Sequence, residues 1–401
     1  VAEKAREVYH YYYHQHYPAD ETLWARNHRR SPLYDQLAEL GAEFGEKNGW
    51  ERVNFFRPGE PSRQAADDQH QWGWGRAPYH DLIREECLAA RERVALFDMT
   101  SFGKFEVSGS GALGLLQRVA CNNIDRPDGS LVYTQFLNAH GGIESDLTVC
   151  RLACDRFRVI TGTSFLSNDL EWVRSHAPAD GSVEVSDVTD DFACIGMWGP
   201  GARDVLGQAT GDDVSNDTFP YLTARRLTVA GKPAWAQRVS YVGELGWELY
   251  LANTDARAVW DALIELGQAH GIRPAGYKAL DSLRLEKGYV YWSTDVTPED
   301  NLLEAGMGFC ADMAKGDFIG RDALAKRKAD GLQSRLRTVV LEGNALPAYG
   351  AESVWHDDQI VSRLRSAGHA HTIDRSIAYC YLPLPLAKPG TGVEIELFGE
   401  R

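Results

Sequence analysis

The chain has 401 residues, with 42 Lys plus Arg against 57 Asp plus Glu and a net charge of −15. At about 150 residues per domain that length predicts two to three domains, and 44% hydrophobic with 25% charged residues excludes a largely disordered or collagen-like chain. The negative balance removes any global attraction to nucleic acid or anionic membrane, so an anionic ligand has to meet a local basic pocket.

No stretch reaches the roughly 18 apolar residues that a membrane span needs, and Val1-Ala-Glu-Lys-Ala-Arg-Glu7 is charged where a signal peptide is apolar, so the expected compartment is the cytoplasm. Cys87, Cys121, Cys150, Cys154, Cys194, Cys310 and Cys380 are odd in number, scattered and without a C-x-x-C pair, which predicts reduced thiols rather than a disulfide frame or a zinc knuckle. Val at position 1, and a final Glu394-Ile-Glu-Leu-Phe-Gly-Glu-Arg401 that reads as a strand and its turn, point to a piece of something longer.

Residues 1–75 are dense in aromatics and charge and read as a linker or docking segment. His10 and His14 have the i, i+4 spacing of two ligands on a helix face, yet no Glu follows the first and no third ligand is marked, so an aromatic packing face is favoured and no metal is expected. Pro32 and the apolar positions 33, 37 and 40 predict an amphipathic helix over 31–41 with Gly41 as its stop. Beyond about 76 the texture alternates: helices over 81–94, 111–120, 169–176 and 255–270, and strands over 103–107, 157–161 and 239–242, hence an α+β body with mixed sheets over 76–330. The Lys/Arg-rich stretch 326–335 separates this body from short strands punctuated by Pro383, Pro385, Pro389 and Gly390, a small all-β domain over 335–401.

Gly109-Ser-Gly-Ala-Leu-Gly114 matches G-x-G-x-x-G between a strand and a helix, the setting of a dinucleotide fingerprint. Ninety residues on, Gly199-Pro-Gly-Ala-Arg-Asp-Val-Leu206 repeats it with Pro200, which has no amide, and with Asp204 in place of the third glycine. A turn used twice is favoured over a phosphate cradle, and it implies two similar subdomains with a ligand cleft between them.

Five ordered segments carry a resemblance: Val94–Gly103, Phe136–Asp146, Ser240–Tyr250, Ala279–Gly288 and Asp317–Asp322. Together they resemble the aminomethyltransferase (T-protein) of the glycine cleavage system. Tyr133-Thr-Gln-Phe-Leu-Asn138 and Leu283-Arg-Leu-Glu-Lys287 fit the folate-binding half of dimethylglycine and sarcosine dehydrogenases better than the T-protein wording, and Gly45–Arg52 resembles the linker after their flavin domain. The resemblance implies two related α/β subdomains plus a small β-barrel-like domain, tetrahydrofolate in a central channel, and FAD only on a partner dehydrogenase domain or subunit outside this chain. The folate accepts the carbon released when a flavin oxidises an N-methyl amine; no metal, nucleic acid or membrane partner is implied, and the oligomeric state is open.

The same resemblance marks the site. Glu248 aligns with the carboxylate that grips the pterin, where two parallel hydrogen bonds from an amino-amidine edge suit a charged acceptor. Tyr241 lies on the same predicted strand: unbroken, period two sends Tyr241 with Gly243 to one face and Glu244 with Glu248 to the other, whereas a bulge at Gly243 and Gly246 lets Tyr241 and Glu248 converge. Tyr133 and Asn138 align with channel-lining positions, although Asn before Gly141-Gly142 is also ordinary turn chemistry. Trp292 matches an aromatic that stacks on the benzoyl ring or packs in the core. The family acid near folate N10 is here Asn123, which cannot ionise; Asp125 is the nearby substitute. Leu280 stands where the T-protein has Arg.

The implied activity is tetrahydrofolate-dependent one-carbon transfer coupled to oxidative N-demethylation. The alternatives are a stand-alone aminomethyltransferase served by a lipoyl carrier protein, and a non-catalytic module packed on a flavin domain, which Asn123 keeps open.

Overall fold

The computed structural model describes residues 2–13, 17–18, 20–22, 24–64, 73–343 and 347–401, so His14 and His16 lie outside the described residues. The chain divides into two compact units: Val1–Phe102 with Thr189–Lys287 and His371–Ile373, and Gly103–Val188 with Gly288–Ala370 and Asp374–Arg401. No helix among the described residues is long and apolar enough to cross a membrane.

The first unit is built on a six-stranded sheet in the order Ala224–Val229, Lys232–Gln237, Gly246–Ala252, Phe192–Trp198, Val94–Asp98, Ile272–Pro274. Period-two alternation sends Trp247, Leu249 and Leu251 to one face, where they meet Ala234, Ala236, Ile195 and Met197 in a single core. The helices Ala202–Thr210 and Ala256–Gly267 lay Val205, Leu206, Val259, Trp260 and Leu263 on that face. Glu248 and Tyr250 point to the opposite face. The opening segment supplies a second, three-stranded sheet, with Ala42–Lys47 between Trp50–Phe56 and Arg63–Gln64, and its Phe44, Val53 and Phe56 join the same core with Leu33 and Leu37 of the short helix region ending at Gly41.

The second unit carries a five-stranded sheet in the order Leu131–Leu137, Ile143–Ala153, Arg156–Thr161, Gly103–Ser108, Glu184–Asp187. The helices Ala112–Val119 and Leu166–His176 cover its apolar face through Leu115, Leu116, Val119, Leu170 and Val173. A further five-stranded sheet, Ser334–Val340, Arg375–Pro383, Gln359–Ala370, Ser353–His356, Glu394–Ile395, forms the terminal β domain around Val354, Leu364, Ala378, Cys380 and Leu382.

The repeated joint has the same geometry in both copies. Gly109 and Gly199 take φ of +111° and +143°, and a Cβ on either would stand 2.3 Å from a carbonyl oxygen, of Ser182 and Arg93 respectively. Two residues on, the amides of Gly111 and Gly201 donate to those carbonyls at 3.1 and 3.0 Å. Each joint is closed by the protein itself.

One expectation needs correcting. Residues 239–242 are not a strand: the chain leaves the sheet at Gln237 and re-enters at Gly246, running as bends between. The β-branched run is overridden by Gly243 at φ +74°, and the Val239 carbonyl is taken by the Trp198 indole at 2.8 Å rather than by a ladder partner. The basic stretch 326–335 is made of the second half of the helix Arg321–Asp330 and the start of the strand Ser334–Val340.

Candidate functional site

In the second unit Tyr133 stands on the face of the five-stranded sheet opposite Val132 and Phe136 of its apolar core. Tyr133 pairs with Thr148 and Gln135 with Asp146, so directly opposed residues place Tyr133, Gln135 and Asp146 side by side. Gln135 Nε2 donates to Asp146 Oδ1 at 2.8 Å, and the Tyr133 hydroxyl also hydrogen-bonds the Asp146 carboxyl. Burial outweighs these bonds and pushes the Asp146 carboxyl up to about 6, with Asp169 adding a like charge. Asp169, behind the same strand, accepts from Ser145 at 2.6 Å and from Thr161, and burial pushes it up to about 6 as well. Asp146 was not singled out from the sequence. The available signal was the half-buried polar alternation of Glu144, Asp146 and Thr148 along a strand whose other face is apolar.

The Asn122–Asn123 loop is stitched to this spot. Asn122 Nδ2 donates to the Tyr133 carbonyl and its amide to Thr134 Oγ1, both at 3.0 Å. Asn123 Oδ1 accepts from Gln117 Nε2 at 2.7 Å and from the Asp125 amide at 3.0 Å, which turns its carbonyl inward. Gln117 is itself held by Lys315, whose ammonium donates to Gln117 Oε1 and to the Gln117 and Ala120 carbonyls at the helix end; burial pulls that ammonium down to about 8. Asp125 points elsewhere: its side chain is 60% exposed and pairs with Arg151 at 2.7 Å, a surface contact that Asp128 shares.

Asn138 and Trp292 flank the start of the next strand. Asn138 Oδ1 accepts the amides of His140 and Gly142 at 3.0 and 2.9 Å, and Nδ2 donates to Glu144 and the Pro298 carbonyl at 3.0 and 3.1 Å, so all four hydrogen-bonding positions of the amide serve the turn. Trp292 Nε1 donates to the Ile143 carbonyl at 2.8 Å, and its ring meets Phe165 edge-on at 4.8 Å.

Tyr241 and Glu248 belong to the first unit. Glu248 is half-buried in mid-strand, directly opposite Gly196 on one side and Gln237 on the other. Tyr250 donates its hydroxyl to Glu248 Oε2 at 2.6 Å, and burial raises that phenol well above its ordinary range. Tyr241 lies in the bends before the strand, half-buried. Glu244, its neighbour in the same bends, is an ion-pair residue, receiving Arg91 at 2.9 Å and Lys287 at 3.2 Å. Gln237, missed in the sequence, is wholly buried, and neither of its side-chain polar atoms has a partner among the described residues.

In the first unit, the acceptor-only Glu248 carboxylate on a rigid strand suits the amino-amidine edge of a reduced pterin. In the second, the Asp146 carboxyl, raised to about 6 beside a phenol, is able to hold or release a proton near neutrality.

Comparison with known proteins supplies the lineage. The GCVT N-terminal domain family matches residues 33–315, and the glycine cleavage T-protein C-terminal barrel domain matches residues 335–401. Human mitochondrial sarcosine dehydrogenase is 36% identical over 423 residues, covering 97% of this chain and 46% of that protein. The 4-methylaminobutanoate oxidase (formaldehyde-forming) of Paenarthrobacter nicotinovorans is 39% identical over 371 residues, covering 92% and 44%. The chain thus spans about half the length of these curated relatives. The aminomethyltransferase of Halothermothrix orenii is 34% identical over 368 residues, covering 92% of this chain and 95% of its own. In fold, the glycine cleavage system aminomethyltransferase T from Bartonella henselae matches with a TM-score of 0.78 at 23% identity, over 93% of this chain and 95% of that one. By domain content, sequence and fold, this chain belongs to the glycine cleavage T-protein (aminomethyltransferase) family.

Proposed function

We propose that the chain is a tetrahydrofolate-dependent one-carbon transfer module that works with an FAD-dependent N-methyl amine dehydrogenase domain or subunit. The observation that carries the folate half of this reading is Glu248, a half-buried carboxylate fixed on a core strand by Tyr250 at 2.6 Å. The likeness to sarcosine dehydrogenase and to the formaldehyde-forming oxidase supports the demethylating context. Tetrahydrofolate, when bound, supplies the nitrogen nucleophiles that accept the one-carbon unit.

In this reading Glu248 holds the pterin by its donor edge, with Tyr241 beside it. For the second unit, taken by itself, we assign the proton-accepting role to Asp146, whose carboxyl is hydrogen-bonded by Tyr133 and Gln135. Asn123, its carbonyl committed to Gln117 and the Asp125 amide, contributes a donor amide rather than a base. Proximity of the two reactants then supplies most of the acceleration.

The match to a stand-alone aminomethyltransferase over 95% of that protein favours a second reading, transfer from a lipoyl carrier protein without a flavin partner. Calorimetry with tetrahydrofolate tests what both share: Glu248→Ala should weaken binding by about 2 to 4 kcal/mol, the range for removing one partner of a buried charged contact. Unchanged affinity removes Glu248 from the site. Supplying a flavin dehydrogenase half with an N-methyl amine, or an aminomethyl-lipoyl carrier, then separates the two readings by which donor yields methylenetetrahydrofolate.

A further inference from the structure

Gln237 closes the strand Lys232–Gln237 and stands directly across from Glu248, so both side chains leave the same face of the sheet, about 5 Å apart at Cβ. The residue is 0% exposed, and neither Nε2 nor Oε1 has a hydrogen-bond partner among the described residues. Buried carboxamides are nearly always paired, because an unmade bond forfeits the hydration the group gave up on folding. Among the described residues nothing on that face supplies the bond. Gly196 has no side chain, the Trp198 indole is spent on the Val239 carbonyl, and Glu248 takes its bond from Tyr250 along its own strand rather than from Gln237 across the ladder.

We propose that Gln237 is a specificity residue of the Glu248 site, the donor that pairs with the ring carbonyl of a bound pterin; this rests on the reading of Glu248 as the pterin-binding carboxylate. Along the pyrimidine edge of a tetrahydropterin the amino group and ring N–H are donors, and the carbonyl next to them is an acceptor. A carboxylate matches the two donors and repels the third position. A carboxamide one cross-strand step away supplies the missing N–H, so the pair reads donor, donor, acceptor in order. The amide is shut from water in the free chain, and its bond is therefore made only on ligand entry. Beside it, Val239–Leu245 lies outside the sheet ladder and is the stretch of wall best able to give way.

The arrangement predicts opposite effects on binding and folding. The test measures the tetrahydrofolate Kd by calorimetry, and the melting temperature without ligand, for the 401-residue chain and its Gln237→Met and Gln237→Leu variants; two apolar replacements guard against one that does not fold. Kd should rise about tenfold while the melting temperature holds or rises, since an unpaired buried amide has been replaced by an apolar chain of similar length. An unchanged Kd in a folded variant, with Glu248→Ala still weakening binding, overturns the role of Gln237 and leaves Glu248 in place. A higher Kd accompanied by a lower melting temperature in both variants marks a structural role and overturns it equally. No binding by the unsubstituted chain overturns the reading of Glu248 itself, and this proposal with it.

Discussion

Tyr250 donates its hydroxyl to Glu248 at 2.6 Å, and because the two stand two apart on the strand Gly246–Ala252, the carboxylate is tethered to its own backbone rather than to a mobile loop. Burial keeps the phenol protonated throughout the working pH range, so the tether does not titrate. Tyr250→Phe should leave the fold intact and weaken tetrahydrofolate binding about tenfold, toward the lower end of what a hydrogen bond to a charged group contributes. Calorimetry paired with thermal melting measures both; a variant that binds as tightly as the parent shows that Glu248 needs no tether.

Asp146 sets a pH dependence. With its carboxyl raised to about 6, transfer that uses the ionised form should rise as pH climbs through 6 and level off above it. Asp146→Asn should remove that limb and lower the rate by about 10² to 10⁴. Asp169 also titrates near 6, so Asp169→Asn is the control: the limb should persist there. A limb that follows Asp169 instead assigns the proton to the wrong side of the strand.

Glu86 offers a stability test away from the candidate site. It is buried, accepts the Phe56 amide at 2.7 Å and the Gly276 amide at 2.9 Å, and burial pushes it up from 4.5 to about 8. A carboxyl whose folded pKa is raised contributes stability that is whole below 4.5 and is lost as pH rises through 8, at about 1.4 kcal/mol per unit of difference. Denaturant melts of the parent should therefore weaken between pH 5 and 8. Glu86→Gln should flatten that slope while costing about 1 to 3 kcal/mol at pH 5, because its NH₂ must face a backbone N–H. An unaltered slope in the variant locates the titration elsewhere.

Restoring a carboxylate at the loop tests the division of labour between Asn123 and Asp146. If Asp146 handles the proton, Asn123→Asp should change the yield of methylenetetrahydrofolate over free formaldehyde by less than about tenfold, or 1.4 kcal/mol. The assay needs the matching flavin half, an N-methyl amine, a short quench and a formaldehyde trap, since formaldehyde also condenses with folate in solution. A parent no better than that solution reaction, rescued a hundredfold by the substitution, would instead mark the natural chain as a non-catalytic module.

The fold was legible where local pattern and tertiary packing agree. The helices Ala112–Val119 and Ala256–Gly267 and the strand Arg156–Thr161 follow apolar periodicity, and the repeat marked the two joints of like geometry at Gly109 and Gly199. Residues 239–242 misled because β-branched composition says nothing about Gly243 in a left-handed conformation or about an indole claiming a carbonyl from another strand. Asp146, Gln135 and Gln237 went unmarked for a related reason. Their significance comes from cross-strand register and from a hydrogen bond made or left unmade, neither of which has a fixed spacing along the chain.

The twin glycine joints have one more consequence. In a phosphate-binding turn the amides after the first glycine point into open space and wait for an oxyanion. Here Ser182 and Arg93 each press a carbonyl oxygen into that position, so both turns carry a built-in, covalently attached surrogate for the phosphate. Both helix entrances are thus occupied by the chain's own backbone, and a search by fingerprint alone would credit the Gly109 copy with a docking point that is already filled.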